Sequence, residues 1–167
     1  MANRNFPNWI NAYLEYTKFS ESPSKFHFWT AVSVLAGALR RRVWIDQKYF
    51  VWIPNFYIIF VAKPGIVSKS TTADIGMSLL REVPGIHFGP NSLTWQALIQ
   101  AMHQSVDTIE DPATGELFAS SAFSIVASEL GSLLDFSDRA MIDVFVDLWD
   151  GRKTWSKRTK LDGEELI

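Results

Sequence analysis

Apolar and aromatic residues fall at Trp9, Ile10, Tyr13, Leu14 and Tyr16, the spacing of one helical face, and predict a helix within Phe6–Phe19. Ser20-Glu21-Ser22-Pro23-Ser24 breaks it. Pro23 suits the first turn of a second helix, which runs to about Leu39 with Phe26, Trp29, Val32, Leu35, Ala36 and Leu39 on a broad inward face. Arg40-Arg41-Arg42 closes that helix, where positive charge complements the dipole. Two short strands are expected over Val43–Asp46 and Tyr49–Ile53, with Pro54 separating them from an apolar strand over Phe56–Ala62. A helix over Ser70–Glu82 stops at Pro84-Gly85, and Ile86–Phe88 reads as a short strand. Ser92 precedes a helix over Leu93–Gln104 that buries Trp95, Leu98 and Met102. Asp111-Pro112 and Thr114-Gly115 carry turn chemistry, so residues 106–120 read as a hairpin or an exposed loop. The apolar run Ala122–Ser128 is a further strand, Glu129–Phe136 is short and helical, and Ser137 is expected to cap a helix over Asp138–Asp150 with Gly151 as its stop.

From Asn55 onward strands and helices alternate, which predicts an α/β fold with a parallel, helix-covered sheet. Residues 1–54 form an N-terminal unit of helices and a short strand pair; residues 55–167 form the core. A ligand is expected beyond the C-terminal strand ends. No internal repeat, low-complexity tract or linker interrupts this plan.

The chemistry concentrates at Asn55–Thr72, NFYIIFVAKPGIVSKSTT. An apolar strand leads into a loop with Pro64 and Gly65, then into Lys69-Ser70-Thr71-Thr72 at a helix start. That order suits a phosphate-binding P-loop, in which backbone amides and a Lys face an anion at the positive end of a helix. Counted back from Lys69, the G-x-x-x-x-G-K-[ST] pattern places Ser68 at the second glycine and Lys63 at the first. Aligned on Pro64-Gly65, the loop is one residue long, with Ala62 at the first glycine. The candidate nucleotide-binding residues are Pro64, Gly65, Ile66, Val67, Ser68, Lys69, Ser70 and Thr71. Lys69 is assigned to the β- and γ-phosphates of ATP and Ser70 to Mg²⁺. The alternative is an ordinary strand–turn–helix with an exposed Lys.

Ala122–Glu129, AFSIVASE, ends an apolar run in a carboxylate. Nucleotide-hydrolysing α/β cores place an acid there to bind Mg²⁺ or polarise water. Glu129 is the candidate for orienting water and for a metal contact. Ser128 occupies the preceding position, often Asp; it can hold a metal-bound water without adding charge. The plainer reading is that Glu129 starts a helix, where an acid is favourable in any case.

Composition narrows the choices. The chain has 167 residues, about one domain, with 47% apolar residues, seven Trp and twelve Phe. A net charge of −2 argues against bulk attraction to polyanions, so a nucleic-acid contact must come from a local patch. The absence of Cys removes disulfides and thiolate metal sites and fits a reducing cytoplasm. No signal peptide is visible, and the most apolar helix candidate, Phe26–Leu39, is too short to span a membrane.

FHFWTAVSVLAGALRRRVWI, followed by PNFYIIFVAKPGIVSKSTT and by LWDG at Leu148–Gly151, resembles phage and mobile-element ATPases associated with DNA replication. These are helicase-like P-loop proteins often encoded with, or fused to, primases. The resemblance runs from about Phe26 onward. It implies a RecA-like core, ATP binding through Lys69 and Ser70, hydrolysis assisted by Glu129, and a homo-oligomer working on DNA in the cytoplasm, that of the host if phage-encoded. Members of that family carry G-P-P-G-x-G-K-S/T, so Ala62 or Lys63, Ser68 and Ser128 depart from it. A complete core also needs later strands with a sensor residue and an arginine finger. The expectation is therefore of an incomplete core, whether a truncated product, a split protein or a designed fragment.

Arg152, Lys153, Lys157, Arg158 and Lys160 surround Trp155, a pattern that can grip single-stranded DNA by phosphate contacts and base stacking. A solvated hairpin turning at Asp162-Gly163 explains the same residues. Asp143, Asp147 and Asp150 share a helix face and read as solvated. His27, His87 and His103 lack ligand spacing.

Overall fold

A computed structural model describes residues 7–89, 94–111, 113–152, 156–159 and 163–166. Helix α1 (Trp9–Tyr16) begins at Asn8, whose side chain accepts from the Asn11 amide at 2.8 Å. Helix α2 (Ser24–Leu39) starts after Pro23, and α3 (Lys69–Arg81) packs against it. Glycine makes that approach possible. A Cβ at Gly76 would lie 2.3 Å from Thr30 Cγ2, and one at Gly37 would lie 2.8 Å from Leu80 Cδ2. Val34, Met77 and Leu80 form the buried centre of this layer, joined by Ala38, Val83, Ile86, Phe88 and Val126. The helices of residues 1–54 thus pack directly on the helix that follows the candidate loop.

A second layer joins α4 (Trp95–Gln104) to α6 (Arg139–Trp149) through Trp95, Leu98, Ile99, Met141 and Val144, with Phe123 and Ile125 packed against them. Thr94 caps α4, and Asp138, rather than Ser137, caps α6 by accepting from the Met141 amide at 3.2 Å. Ser137 instead donates its hydroxyl to Asp135 Oδ1 at 2.6 Å. A short helix, α5 (Leu130–Leu133), follows the 122–128 segment.

Among the described residues strands pair as three antiparallel ribbons: β1 (Ile45–Asp46) with β2 (Val51–Trp52), β3 (Val106–Glu110) with β4 (Leu117–Ser121), and β5 (Ser156–Thr159) with β6 (Gly163–Leu166). The one parallel pairing among the described residues is a bridge between Phe88 and Ser124. Its bonds run from Ser124 N to His87 O and from Gly89 N to Ser124 O, both at 2.9 Å. Residues 56–62, read from sequence as the main strand, belong to no ladder among the described residues.

The arginine triplet does more than end α2. Arg40 adopts φ 54°, which aims its guanidinium at the Gly85 carbonyl (2.7 Å) and at Asp107 on β3. Arg41 donates to the Gly151 carbonyl at 3.0 Å, and burial lowers its pKa. No helix is long and apolar enough to cross a membrane, among the described residues.

Candidate functional site

The loop begins with a turn over Pro64, Gly65 and Ile66. Gly65 has φ +72°, and the Ile66 amide reaches the Lys63 carbonyl at 3.5 Å. Proline at the second position and a positive-φ glycine at the third are the residue preferences of a type II turn. Lys69 N then donates to Val67 O at 2.9 Å and Thr72 N to Ser68 O at 3.0 Å. The amides of Gly65, Val67, Ser68, Ser70 and Thr71 donate to no acceptor among the described residues. Two of them, Ser70 and Thr71, belong to the first turn of α3, where the helix leaves donors unused and carries partial positive charge.

Lys69 folds back over this turn, its Nζ donating to the Ala62 carbonyl at 3.1 Å. Ser70 is exposed and its hydroxyl is bonded to no described residue. Ser68 serves as the helix cap without a capping side-chain bond, and its hydroxyl donates to Glu21 at 3.3 Å. The cradle is anchored from below. The Ser68 carbonyl accepts from the Ser22 and Thr72 hydroxyls, each at 3.0 Å, and Thr72 Oγ1 lies 2.6 Å from Ser22 Oγ. Ser22 and Thr72 are buried, so this knot ties the start of α3 to the α1–α2 connection.

Lys69, Ser70 and Ser128 line a common cavity of about 460 Å³. Glu129 is not among its lining. It is exposed, begins α5, and accepts at its carbonyl from the Ser132 amide (3.2 Å) and hydroxyl (2.7 Å). The structure thus brings Ser128, rather than Glu129, to the cavity that Lys69 and Ser70 share. Pro64, Gly65 and Ile66 are exposed in the turn, while Val67 and Ser68 are half-buried.

The basic cluster divides. Arg152 pairs with Asp150 at 2.8 Å. The backbone register of the β5–β6 ribbon pairs Lys157 with Glu165 and Arg158 with Glu164. Lys153, Trp155 and Lys160 lie outside the described residues. Asp143 lies 3.6 Å from Arg139 across one turn of α6. Among the described residues no group of three or more His, Asp and Glu side chains is placed to hold a metal ion.

Sequence reasoning passed over Ser22, Glu21 and Thr72. Ser20–Ser24 was read only as a helix break, although Ser and Asp/Glu beside a helix start are also the usual source of side-chain-to-backbone bonds. His27 has neither ring nitrogen hydrogen-bonded, and burial lowers its pKa. Tyr13, whose ring lies 6.1 Å from that of His27, has its pKa raised to about 12 by burial.

Comparison of the chain with protein-family models, curated protein sequences and solved structures returned no match.

Proposed function

We propose that residues 63–72 bind the phosphates of ATP, and that the chain is a P-loop ATP-binding, ATP-hydrolysing domain of a phage-type DNA replication or helicase protein. The observation that carries this reading is the set of amides at Gly65, Val67, Ser68, Ser70 and Thr71 that bond to no described residue, in the same loop as the Lys69 ammonium. Amides with no internal partner and a cation in one loop at a helix start suit a polyanion. In this reading Lys69 exchanges the Ala62 carbonyl for phosphate oxygens, and the free Ser70 hydroxyl serves Mg²⁺. When bound, Mg²⁺ would neutralise charge on the transferring phosphoryl group. Glu129 orients the attacking water, and Ser128 hydrogen-bonds a metal-bound water. The sequence resemblance adds a RecA-like core that works as a homo-oligomer in the cytoplasm, with single-stranded DNA and a primase as partners. Calorimetry of Mg-ATP binding to the chain and to Lys69→Ala tests the reading: binding is lost in the variant, and equal affinity in both removes it.

A second reading is a nucleotide-binding or assembly module that does not hydrolyse. That uncharged Ser128, rather than Glu129, lines the cavity that Lys69 and Ser70 also line favours it. Phosphate release by the purified chain, lost in Glu129→Gln, decides for hydrolysis.

A further inference from the structure

Two stretches outside the ribbons, 53–60 and 122–128, line the same cavity, and each contacts both helical layers. In the first, Asn55 Nδ2 donates to the Leu148 and Trp149 carbonyls and the Tyr57 hydroxyl donates to the Phe145 carbonyl, all at 2.9 Å on α6. Phe60 points the other way and stacks on Phe26 of α2, centroids 4.6 Å apart. In the second, Phe123 and Ile125 join the α4–α6 cluster while Val126 joins the α2–α3 cluster. Asn55, Tyr57, Phe123 and Ile125 thus face the α4–α6 layer and Phe60 and Val126 the α2–α3 layer. That is the alternating side-chain period of an extended strand set between two layers, with Phe56, Ile59 and Val61 still exposed.

A segment so placed keeps its peptide groups in the plane between the layers, out of reach of the helices. Ser124 directs both its N–H and its C=O to the His87–Gly89 side. In a strand the neighbouring residues turn theirs to the opposite edge. The amides and carbonyls of Phe123, Ile125, Val126 and Ala127 bond to no described residue, and neither do those of Phe56–Val61. Both stretches line a space of about 460 Å³ together with apolar side chains such as Trp29, Val34, Met77, Leu98 and Phe145. Buried peptide groups are almost always paired in native proteins. An apolar small molecule would fill the volume and leave both edges unpaired. A single extended chain satisfies both at once.

We propose that this cavity is a slot for one β-strand, supplied by an extended apolar segment of another polypeptide that hydrogen-bonds to 56–61 on one edge and to 123–127 on the other. Because helices cover both faces, the incoming strand is continuously apolar and rich in β-branched residues, rather than alternating. Recognition is by backbone pairing, with the apolar walls selecting the side chains. The inference stands whether or not the loop at 63–72 takes a phosphate.

The test uses the full chain and a Lys-flanked heptapeptide of Val and Ile, with the same peptide N-methylated at every second residue as control. Hydrogen exchange is followed by mass spectrometry over 53–63 and 122–128, and stoichiometry by native mass spectrometry. The unmodified peptide is expected to bind one-to-one and to slow exchange in both segments by about tenfold or more, and the N-methylated peptide is expected to leave exchange unchanged. Unaltered exchange with the unmodified peptide overturns the proposal. Equal protection by both peptides also overturns it, because the cavity would then accept any apolar occupant. Protection without peptide that rises with protein concentration, together with a dimer mass, overturns it in favour of a second copy of this chain.

Discussion

Lys69 Nζ donates to the carbonyl of Ala62 at 3.1 Å, so the ammonium closes a ring over the Pro64-Gly65-Ile66 turn. The bond is partly buried and made to a neutral acceptor that water can replace. It holds the charge over the free amides without committing it to a permanent ion pair. Binding and stability are therefore separable at this residue.

Lys69→Ala is expected to change unfolding free energy by no more than about 1 kcal/mol, because one partly exposed hydrogen bond is lost while Ala favours the helix start. Mg-ATP affinity, in contrast, is expected to fall about 100-fold or more, the scale of losing a charged phosphate contact. Urea titration and calorimetry on the same preparations separate the two. A large stability loss would mean that the Lys–carbonyl bond is structural.

Gly76→Ala tests the layer that carries the loop. Its Cβ would lie 2.3 Å from Thr30 Cγ2 and 3.0 Å from Val34 Cγ2, both on α2. Alanine favours a helix interior by about 1 kcal/mol over glycine. Overpacking between two buried helices costs about 1–3 kcal/mol, and Thr30 is too short and too buried to swing aside. The steric term is expected to win, giving a net loss of up to about 2 kcal/mol by urea denaturation. A neutral or stabilised variant would show that α2 and α3 do not approach this closely.

His27 supplies a pH dependence with a definite sign. Burial lowers its folded pKa below the ordinary value of 6.5, and neither nitrogen has a partner. The unfolded chain therefore binds a proton at higher pH than the folded one. Stability is full above 6.5 and is lost as pH falls from there toward the folded pKa, at up to about 1.4 kcal/mol per pH unit. His27→Leu removes that proton and is expected to flatten the stability profile between pH 7 and 5. Identical slopes in parent and variant would exclude His27 as their origin.

The parts of this fold legible in sequence are those held by neighbours in the chain. The buried Trp95 and Leu98 of α4, the turn at 111–115 and the pairing of β5 with β6 follow from local spacing and turn chemistry. The loop's Gly65 and the helix start at Lys69 were legible for the same reason. The face expected of α2, in contrast, is not the one buried: His27, Thr30, Ala31 and Val34 are inside while Trp29 and Leu39 are exposed. On α1 Tyr13 is buried while Tyr16 is exposed. What escaped is non-local. Ser22 meets Thr72 across fifty positions, and Arg40 reaches Asp107 across sixty-seven. Periodicity says that a segment is apolar on both faces, as at 56–62 and 122–128, but not which edge finds a partner. That is why a ladder was expected where the structure has unpaired edges. The Ser128–Glu129 boundary is a matter of phase: both residues are exposed, and one position along the chain decides which of them lines the cavity.

That phase makes Ser128 the position at which the nucleotide reading is most exposed. Ser128 shares the cavity with Lys69 and Ser70 and brings no charge to it. If its hydroxyl stands where a metal-bound water is held, a carboxylate there strengthens the attraction to Mg²⁺, which binds oxygen ligands and keeps most of its waters. The same carboxylate repels a bare triphosphate. Ser128→Asp is therefore expected to raise ATP affinity about tenfold at saturating Mg²⁺ and to lower it when Mg²⁺ is chelated, two opposite shifts from one substitution. Calorimetry at the two metal concentrations reads both. A loss of affinity under both conditions would mean that position 128 faces phosphate with no metal between them, and would remove Mg²⁺ from this end of the site.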